Sequence, residues 1–173
     1  MGKIISPEPA LLFVGTLYSR PGIFEQARDL LERNFSSILF VSSSMPWDYS
    51  SYYRDELGWP IFRRFIFFKD IVDPGALADV KLKTNSLEET LSVEGKRSIN
   101  LDPGYLTLSR IVLASTKNYS HRIYLGKGIY GEVTLVYREN TYQPHLFTYR
   151  DYRDKSHIDV FMAARSKLKS MQC

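Results

Sequence analysis

Residues 61–68 read IFRRFIFF, and their alternation decides the fold. Phe62, Arg64, Ile66 and Phe68 fall on one face of an extended chain, and Arg63, Phe65 and Phe67 on the other. This predicts a strand. Upstream, residues 42–60 hold five serines with Trp47, Tyr49, Tyr52, Tyr53, Asp48, Asp55 and Glu56. A loop of that length in a compact domain is functional or disordered, and its aromatics need something to pack on. Residues 37–41 form a second short strand. Before it, Phe24, Ala27, Leu31 and Phe35 recur at helical spacing within residues 22–35. Residues 10–19, ALLFVGTLYS, are apolar between prolines and predict a buried strand.

Downstream, Asp73-Pro74-Gly75 is a helix start, with aspartate as cap and proline at the first helical position. Ser86 with Glu89 makes a capping box for a second helical piece to about Val93. Residues 80–84 alternate between them, so one long helix and a break both fit. Residues 98–101 predict a short strand. Asp102-Pro103-Gly104 repeats the start signal, and Leu108, Ile111, Val112 and Ser115 then follow a helical stripe. Residues 122–125 and 129–138 form a hairpin around Gly126-Lys127-Gly128, and Ser156 with Asp159 opens a last helix carrying Ile158, Phe161, Arg165 and Leu168. The expected class is α+β with an antiparallel or mixed sheet. Its first six elements take a ferredoxin-like β-α-β-β-α-β order, extended by a helix, a C-terminal β-hairpin and a final helix.

The chain has 173 residues, which points to a single domain with a core over about residues 9–170. Charged residues make up 24%, an ordinary globular balance that rules out wholesale disorder. Cys173 is the only cysteine, so no disulfide framework or cysteine metal site can form within the chain. His121, His145 and His157 lie 24 and 12 residues apart and make no metal-ligand pair, so no metal is expected. No run approaches the ~18 apolar residues of a membrane span, and no secretion signal is read. The expected location is the cytoplasm, with no membrane partner. Met1-Gly2-Lys3-Ile4-Ile5-Ser6 matches a myristoylation pattern, a match too short to carry weight unless the source is eukaryotic. Net charge is +4. Residues 96–132 alone carry that excess: Lys96, Arg97, Arg110, Lys117, Arg122 and Lys127 face only Asp102 and Glu132.

Residues 126–133 read GKGIYGEV, a literal G-x-G-x-x-G-x-V. A dinucleotide fingerprint needs a helix next, and here a strand follows. A kinase needs further motifs, and only 40 residues remain after Val133. What is left is a tight hairpin whose glycines supply positive φ, or a phosphate approached by backbone N–H groups and Lys127. P-loop and G-x-S-x-G motifs are absent. Arg97, Asn100, Asp102 and Tyr105 flank the presumed helix start at Asp102, which either caps the helix or faces an anion. His121, near Lys117 and Arg122, is either a general acid–base or a hydrogen-bonding histidine; a pair with Glu132 is open to it. Tyr52 and Tyr53 belong to a lid, a base-stacking surface or a packed loop; residues 142–152, with Pro144, His145, Tyr149 and Arg150, carry the same alternatives and read first as a structural arm across the sheet.

Several strings resemble the prokaryotic domain-of-unknown-function family 4416. They are FVGTLY at residues 13–18, Tyr52-Tyr53 with Glu56-Leu57-Gly58, RSINLDPGYL at residues 97–106, and residues 114–117 through 121–130. The resemblance covers about residues 7–167. It implies a single-domain bacterial or archaeal cytoplasmic protein and carries over no catalytic residue. The leading expectation is a small phosphate-bearing ligand such as a nucleotide. Arg97, Asn100, Lys117, Arg122 and Lys127 are its anion contacts, Tyr53, Tyr105 and Tyr130 its neighbours, and His121, Asp102 and Glu132 the acid–base candidates. Arg97, Arg122 and Lys127 should then share one hollow. The alternatives are an RNA-binding module with an open basic face and a non-catalytic interaction subunit with a large apolar patch. The motifs name no cofactor and no oligomeric state.

Overall fold

The computed structural model describes residues 2–172. Met1, which begins the myristoylation-type match, and the lone thiol of Cys173 lie outside them. Strand β1 (Ala10–Tyr18) is buried along its whole length. Leu12, Val14 and Tyr18 join one core cluster, while Leu11 and Phe13 join another. Its apolar run is thus a strand covered on both faces. Helix α1 (Pro21–Asn34) follows with proline at its start and buries Ile23, Phe24, Ala27 and Leu31. Strand β2 (Ile38–Val41) comes next. Residues 42–60 contain a short strand β3 (Met45–Pro46), a 3-10 turn (Ser51–Tyr53) and a one-turn helix α2 (Arg54–Leu57).

Strand β4 (Phe62–Val72) pairs with both β1 and β2. Its alternation is as expected. Ile66 and Phe68 face the α1 side, and Phe65 and Phe67 the opposite side. At Asp73 the side chain accepts from the Gly75 N–H, and one continuous helix α3 (Leu77–Thr90) follows. Val80, Lys81, Thr84, Leu87 and Glu88 make a buried stripe through the stretch where a break was open, so Ser86 caps nothing.

The next segment corrects the expectation. Asp102-Pro103-Gly104 starts no helix; it lies inside strand β5 (Ile99–Leu106), and residues 110–115 form strand β6 (Arg110–Ser115). The extra helix of the expected class is therefore a strand. Ile111 and Leu113 pack with Phe161 on one face, and Val112 and Ala114 with Leu77 and Ala78 on the other. A short apolar run buried on both faces carries no periodicity that separates helix from strand. Strands β7 (Ile123–Gly126) and β8 (Ile129–Arg138) form the expected hairpin, with positive φ at Gly126, Lys127 and Gly128. Strand β9 (Thr141–Pro144) pairs with β8, and helix α4 (Lys155–Met171) closes the chain. Phe161 and Leu168 of α4 are buried as expected. Arg165 instead lies over the Tyr137 ring at 3.6 Å and donates to the Leu108 carbonyl at 2.9 Å.

The result is an α+β fold with a nine-stranded antiparallel sheet in the order β2-β4-β1-β5-β6-β8-β7, β3 and β9 pairing off that path. Among the described residues, no helix is long and apolar enough to cross a membrane.

One irregularity positions the site. β5 pairs with β1 from Ile99 to Leu106, but with β6 only from Gly104 to Leu106. Beyond that point β6 stays with β8 and leaves β5. The orphaned edge of β5 is closed by side chains of α3. Lys81 donates to the Leu101 carbonyl at 3.0 Å, and Glu88 accepts from the Leu101 N–H. Two residues on, Pro103 faces the same edge and has no N–H to offer.

Candidate functional site

Where β5 and β6 part, a cavity of about 670 Å³ opens. Asn100 and Asp102 line it from β5, residues 113–117 from β6 and the turn after it, and Glu132 from β8. Lys81, Asn85, Glu88 and Glu89 come from α3. The segment 42–60 supplies Trp47, Tyr49, Ser50, Tyr52 and Tyr53, and the stretch before α4 supplies Tyr149, Arg150, Asp151 and Tyr152. Arg63 comes from β4, and Arg97 from the turn that enters β5.

Most charges in this lining are paired. Arg97 grips Glu56 with two bonds of 2.7 Å and reaches Asn100 at 3.0 Å and Glu88 at 3.4 Å. Those hydrogen bonds hold the Glu56 carboxyl below its usual range. Burial pushes Glu88 the other way. Asn100 passes the chain on to Asp102 at 2.7 Å, and Lys81 lies 3.7 Å from Asp102. Arg63 and Asp151, both buried, pair at 2.7 Å, and the Trp47 indole donates to the same carboxylate oxygen at 2.9 Å. Burial raises Tyr149 to about 12 and keeps Tyr53 and Tyr152 protonated too. Lys117 and Arg150 are the lining cations with no carboxylate partner among the described residues. Lys117 sits over the Tyr52 ring at 5.3 Å.

The sequence-derived candidates divide. Arg97, Asn100, Asp102, Lys117, Glu132 and Tyr53 line the cavity together. Asp102 caps no helix; it stands mid-strand. His121 does meet Glu132, at 3.1 Å, and stacks on Phe147 at 4.5 Å. Arg97, Arg122 and Lys127 do not share the hollow. Arg122 lies behind Glu132, bonded to it at 2.8 Å and to Ser115 at 2.7 Å, because a buried carboxylate requires a cation. Lys127 pairs with Asp79 at the hairpin tip. Tyr105 packs on Leu77, Val112 and their neighbours, and Tyr130 on Tyr124; both lie outside the lining. No cluster of three metal-ligating side chains occurs among the described residues.

Sequence reasoning missed Arg63, Lys81, Glu88 and Asp151, and singled out Arg150 and Tyr152 only as part of the 142–152 arm, whose end in fact lines the cavity. Arg63 had a visible signal: it is the one charged residue on a strand face that otherwise carries phenylalanines. His157, behind Tyr152, was also missed. It is 1% exposed, and burial lowers its pKa below 6.5, with Arg63 adding to the effect. The unfolded chain therefore takes up a proton at a pH where the folded one does not. Stability held above pH 6.5 should be lost as pH falls toward the depressed folded value. His157→Phe should reduce the slope of unfolding free energy just below pH 6.5 by up to about 1.4 kcal/mol per pH unit. Urea titrations across that range check this; an unchanged slope counts against it.

Fold and site together define an α+β domain with a ligand-sized cavity where its antiparallel sheet divides. The chain belongs to the family described as a domain of unknown function (DUF4416), whose model matches residues 8–168. No curated protein and no solved structure matches it.

Proposed function

We propose that the domain binds a small phosphate-bearing ligand of nucleotide size in this cavity, through a contact set other than the expected Arg97, Arg122 and Lys127, which do not come together. The observation that carries the reading is the pairing pattern. Lys117 and Arg150 have no carboxylate partner among the described residues, as Glu89 has no cation partner, while Arg63, Lys81 and Arg97 are paired. Lys117 and Arg150 are both exposed, Lys117 over the Tyr52 ring, and Tyr49 and Tyr53 line the same cavity, so an anionic group meets positive charge while a ring meets aromatic walls. The volume lies within the range of small-molecule sites, roughly 300–1,000 Å³. Asp102 and Glu132 line the same space, with His121 against Glu132, so groups able to move a proton are at hand.

An RNA reading asks for an open basic face. Arg97 and Arg122 are instead bound to Glu56, Glu88 and Glu132, which favours the enclosed ligand. We further infer a ferredoxin-like arrangement for the first half of the chain. The order β2-β4-β1-β5, antiparallel throughout and joined through α1 and α3, supports it.

Replacing both rim cations, Lys117→Ala with Arg150→Ala, should weaken binding of nucleoside monophosphates about tenfold or more and flatten its salt dependence. Both residues are exposed, so Tm should barely move. Calorimetric titration decides; affinity equal to that of the unmodified protein, or no binding of any nucleotide by that protein, overturns the reading.

A further inference from the structure

The shielded carboxylates of the lining differ in how fully they are used. Glu88 accepts from the Leu101 N–H on one oxygen and from Arg97 on the other. Glu132 accepts from Thr134 on one, and from His121 and Arg122 on the other. Asp151 accepts from the Tyr152 N–H on one, and from Arg63 and Trp47 on the other. Asp102 is the exception. Asn100 donates to its Oδ2 at 2.7 Å, but its Oδ1 has no hydrogen-bond donor among the described residues, and Lys81 stands off at 3.7 Å. The Asp102 side chain is 30% exposed, and the side-chain atoms that are both sealed and unpartnered belong to Arg63, Tyr152 and His157, so Oδ1 is open to a visitor.

Two more open groups belong to the same wall. Asn85 follows Lys81 by one turn of α3, on the same face, and its amide has no partner among the described residues. The Tyr53 hydroxyl has none either, and burial first and the Asp102 charge next keep it protonated. Neither group is among the sealed ones. Arg97 ties the wall together, 6.0 Å from the centre of the Tyr53 ring and 3.0 Å from the Asn100 that serves Asp102.

This set both gives and takes hydrogen bonds. The Asp102 carboxylate accepts, Lys81 donates, and the Asn85 amide and the Tyr53 hydroxyl do both. A ring carbonyl asks only for donors. An ammonium asks only for acceptors and would be repelled by Lys81 across the same carboxylate. Hydroxyl groups ask for both, and two adjacent ones can share one carboxylate. Trp47 and Tyr53, 5.6 Å apart and edge to face, line the same cavity and offer apolar surface to the carbon face of a sugar.

We propose that Asp102, with Asn85 and Tyr53 beside it, holds adjacent hydroxyls of a sugar, so that the cavity selects a ribose-bearing phosphate ligand over one stripped of those hydroxyls. This rests on the ligand reading of the same cavity and adds the sugar to it.

The test compares adenosine 5′-monophosphate with its 2′,3′-dideoxy analogue, which keeps base and phosphate and lacks both hydroxyls. Calorimetric titration of the unmodified protein should show the ribose form bound about tenfold more tightly or better. Asp102→Asn keeps the size and loses the charge; it should cut that preference to about threefold or less. Because the Asn85 amide has no partner among the described residues, Asn85→Ala should leave Tm in place and still cut the preference by about half or more. It carries the test if Asp102→Asn does not fold. Lys117→Ala with Arg150→Ala should weaken both nucleotides alike and leave the preference standing. Equal affinities in the unmodified protein, as expected if only water meets these groups, overturn the sugar proposal and leave the ligand reading intact. A preference that survives Asp102→Asn, or Asn85→Ala where the first variant does not fold, also overturns it. Binding of neither nucleotide overturns both.

Discussion

Asp151→Ala should cost about 3–5 kcal/mol of stability, a fall in Tm of roughly 10 °C. The Asp151 and Arg63 side chains are 6% and 4% exposed, so the variant leaves a guanidinium in the interior with no counter-charge. It also removes the acceptor of the Trp47 indole and of the Tyr152 backbone N–H, at 2.9 and 3.0 Å. Much of the loss comes from the stranded cation and not from the absent contact, and a second variant separates the two. Adding Arg63→Met to Asp151→Ala takes away the unpaired charge while keeping an unbranched side chain, and should recover more than half of the deficit. Urea unfolding of the four proteins of this cycle gives the coupling. A loss below about 1 kcal/mol for Asp151→Ala, the range of exposed pairs, would show that the pair is hydrated.

Gly104→Ala is the second large effect. A Cβ at this position in β5 would lie 2.5 Å from the Val112 carbonyl oxygen, 2.6 Å from the Phe13 ring and 2.9 Å from Leu113. The first of these is backbone of β6 and the second a buried ring, so neither can swing aside. The change should cost about 2–3 kcal/mol through the shifts it forces. Because Gly104 begins the short β5–β6 ladder, the strain falls on three residue pairs that hold the two halves of the sheet together. Thermal unfolding measures the loss, and amide exchange at residues 104–106 should quicken ahead of that in β1. A variant with unchanged Tm would mean that β6 moves off freely.

The sequence was most legible where burial is local and one-sided. α1 shows its stripe, and the β7–β8 hairpin announces itself through Gly126-Lys127-Gly128. β4 displays both of its faces. The failures share a cause. Asp73-Pro74-Gly75 and Asp102-Pro103-Gly104 are the same tripeptide, yet the first leads into α3 and the second runs through a central strand. What differs is their surroundings: β1 waits beside the second tripeptide with a complete antiparallel partner surface. Residues 110–115 then follow as a strand because both of their faces find cores. Tertiary pairing decides such segments, and no local pattern contains it.

The site divides in the same way. Arg97, Asn100 and Asp102 reach the cavity because strand geometry delivers neighbours in sequence to one end. In the sequence Arg122 and Lys127 stand as surplus positive charge, but Glu132 and Asp79 claim them. Asp79 lies 48 residues from Lys127, so spacing along the chain cannot show that it is taken. Arg63 is the opposite case. The alternation alone shows a charge on a phenylalanine face, but its role appears only when Asp151, 88 residues away, arrives beside it.

The parting of β5 from β6 has a last consequence. To zip further, the ladder would need its next hydrogen from Pro103, and a proline nitrogen carries none. A single ring closure in the backbone thus works as a doorstop, keeping an interior room from being sewn shut by its own walls.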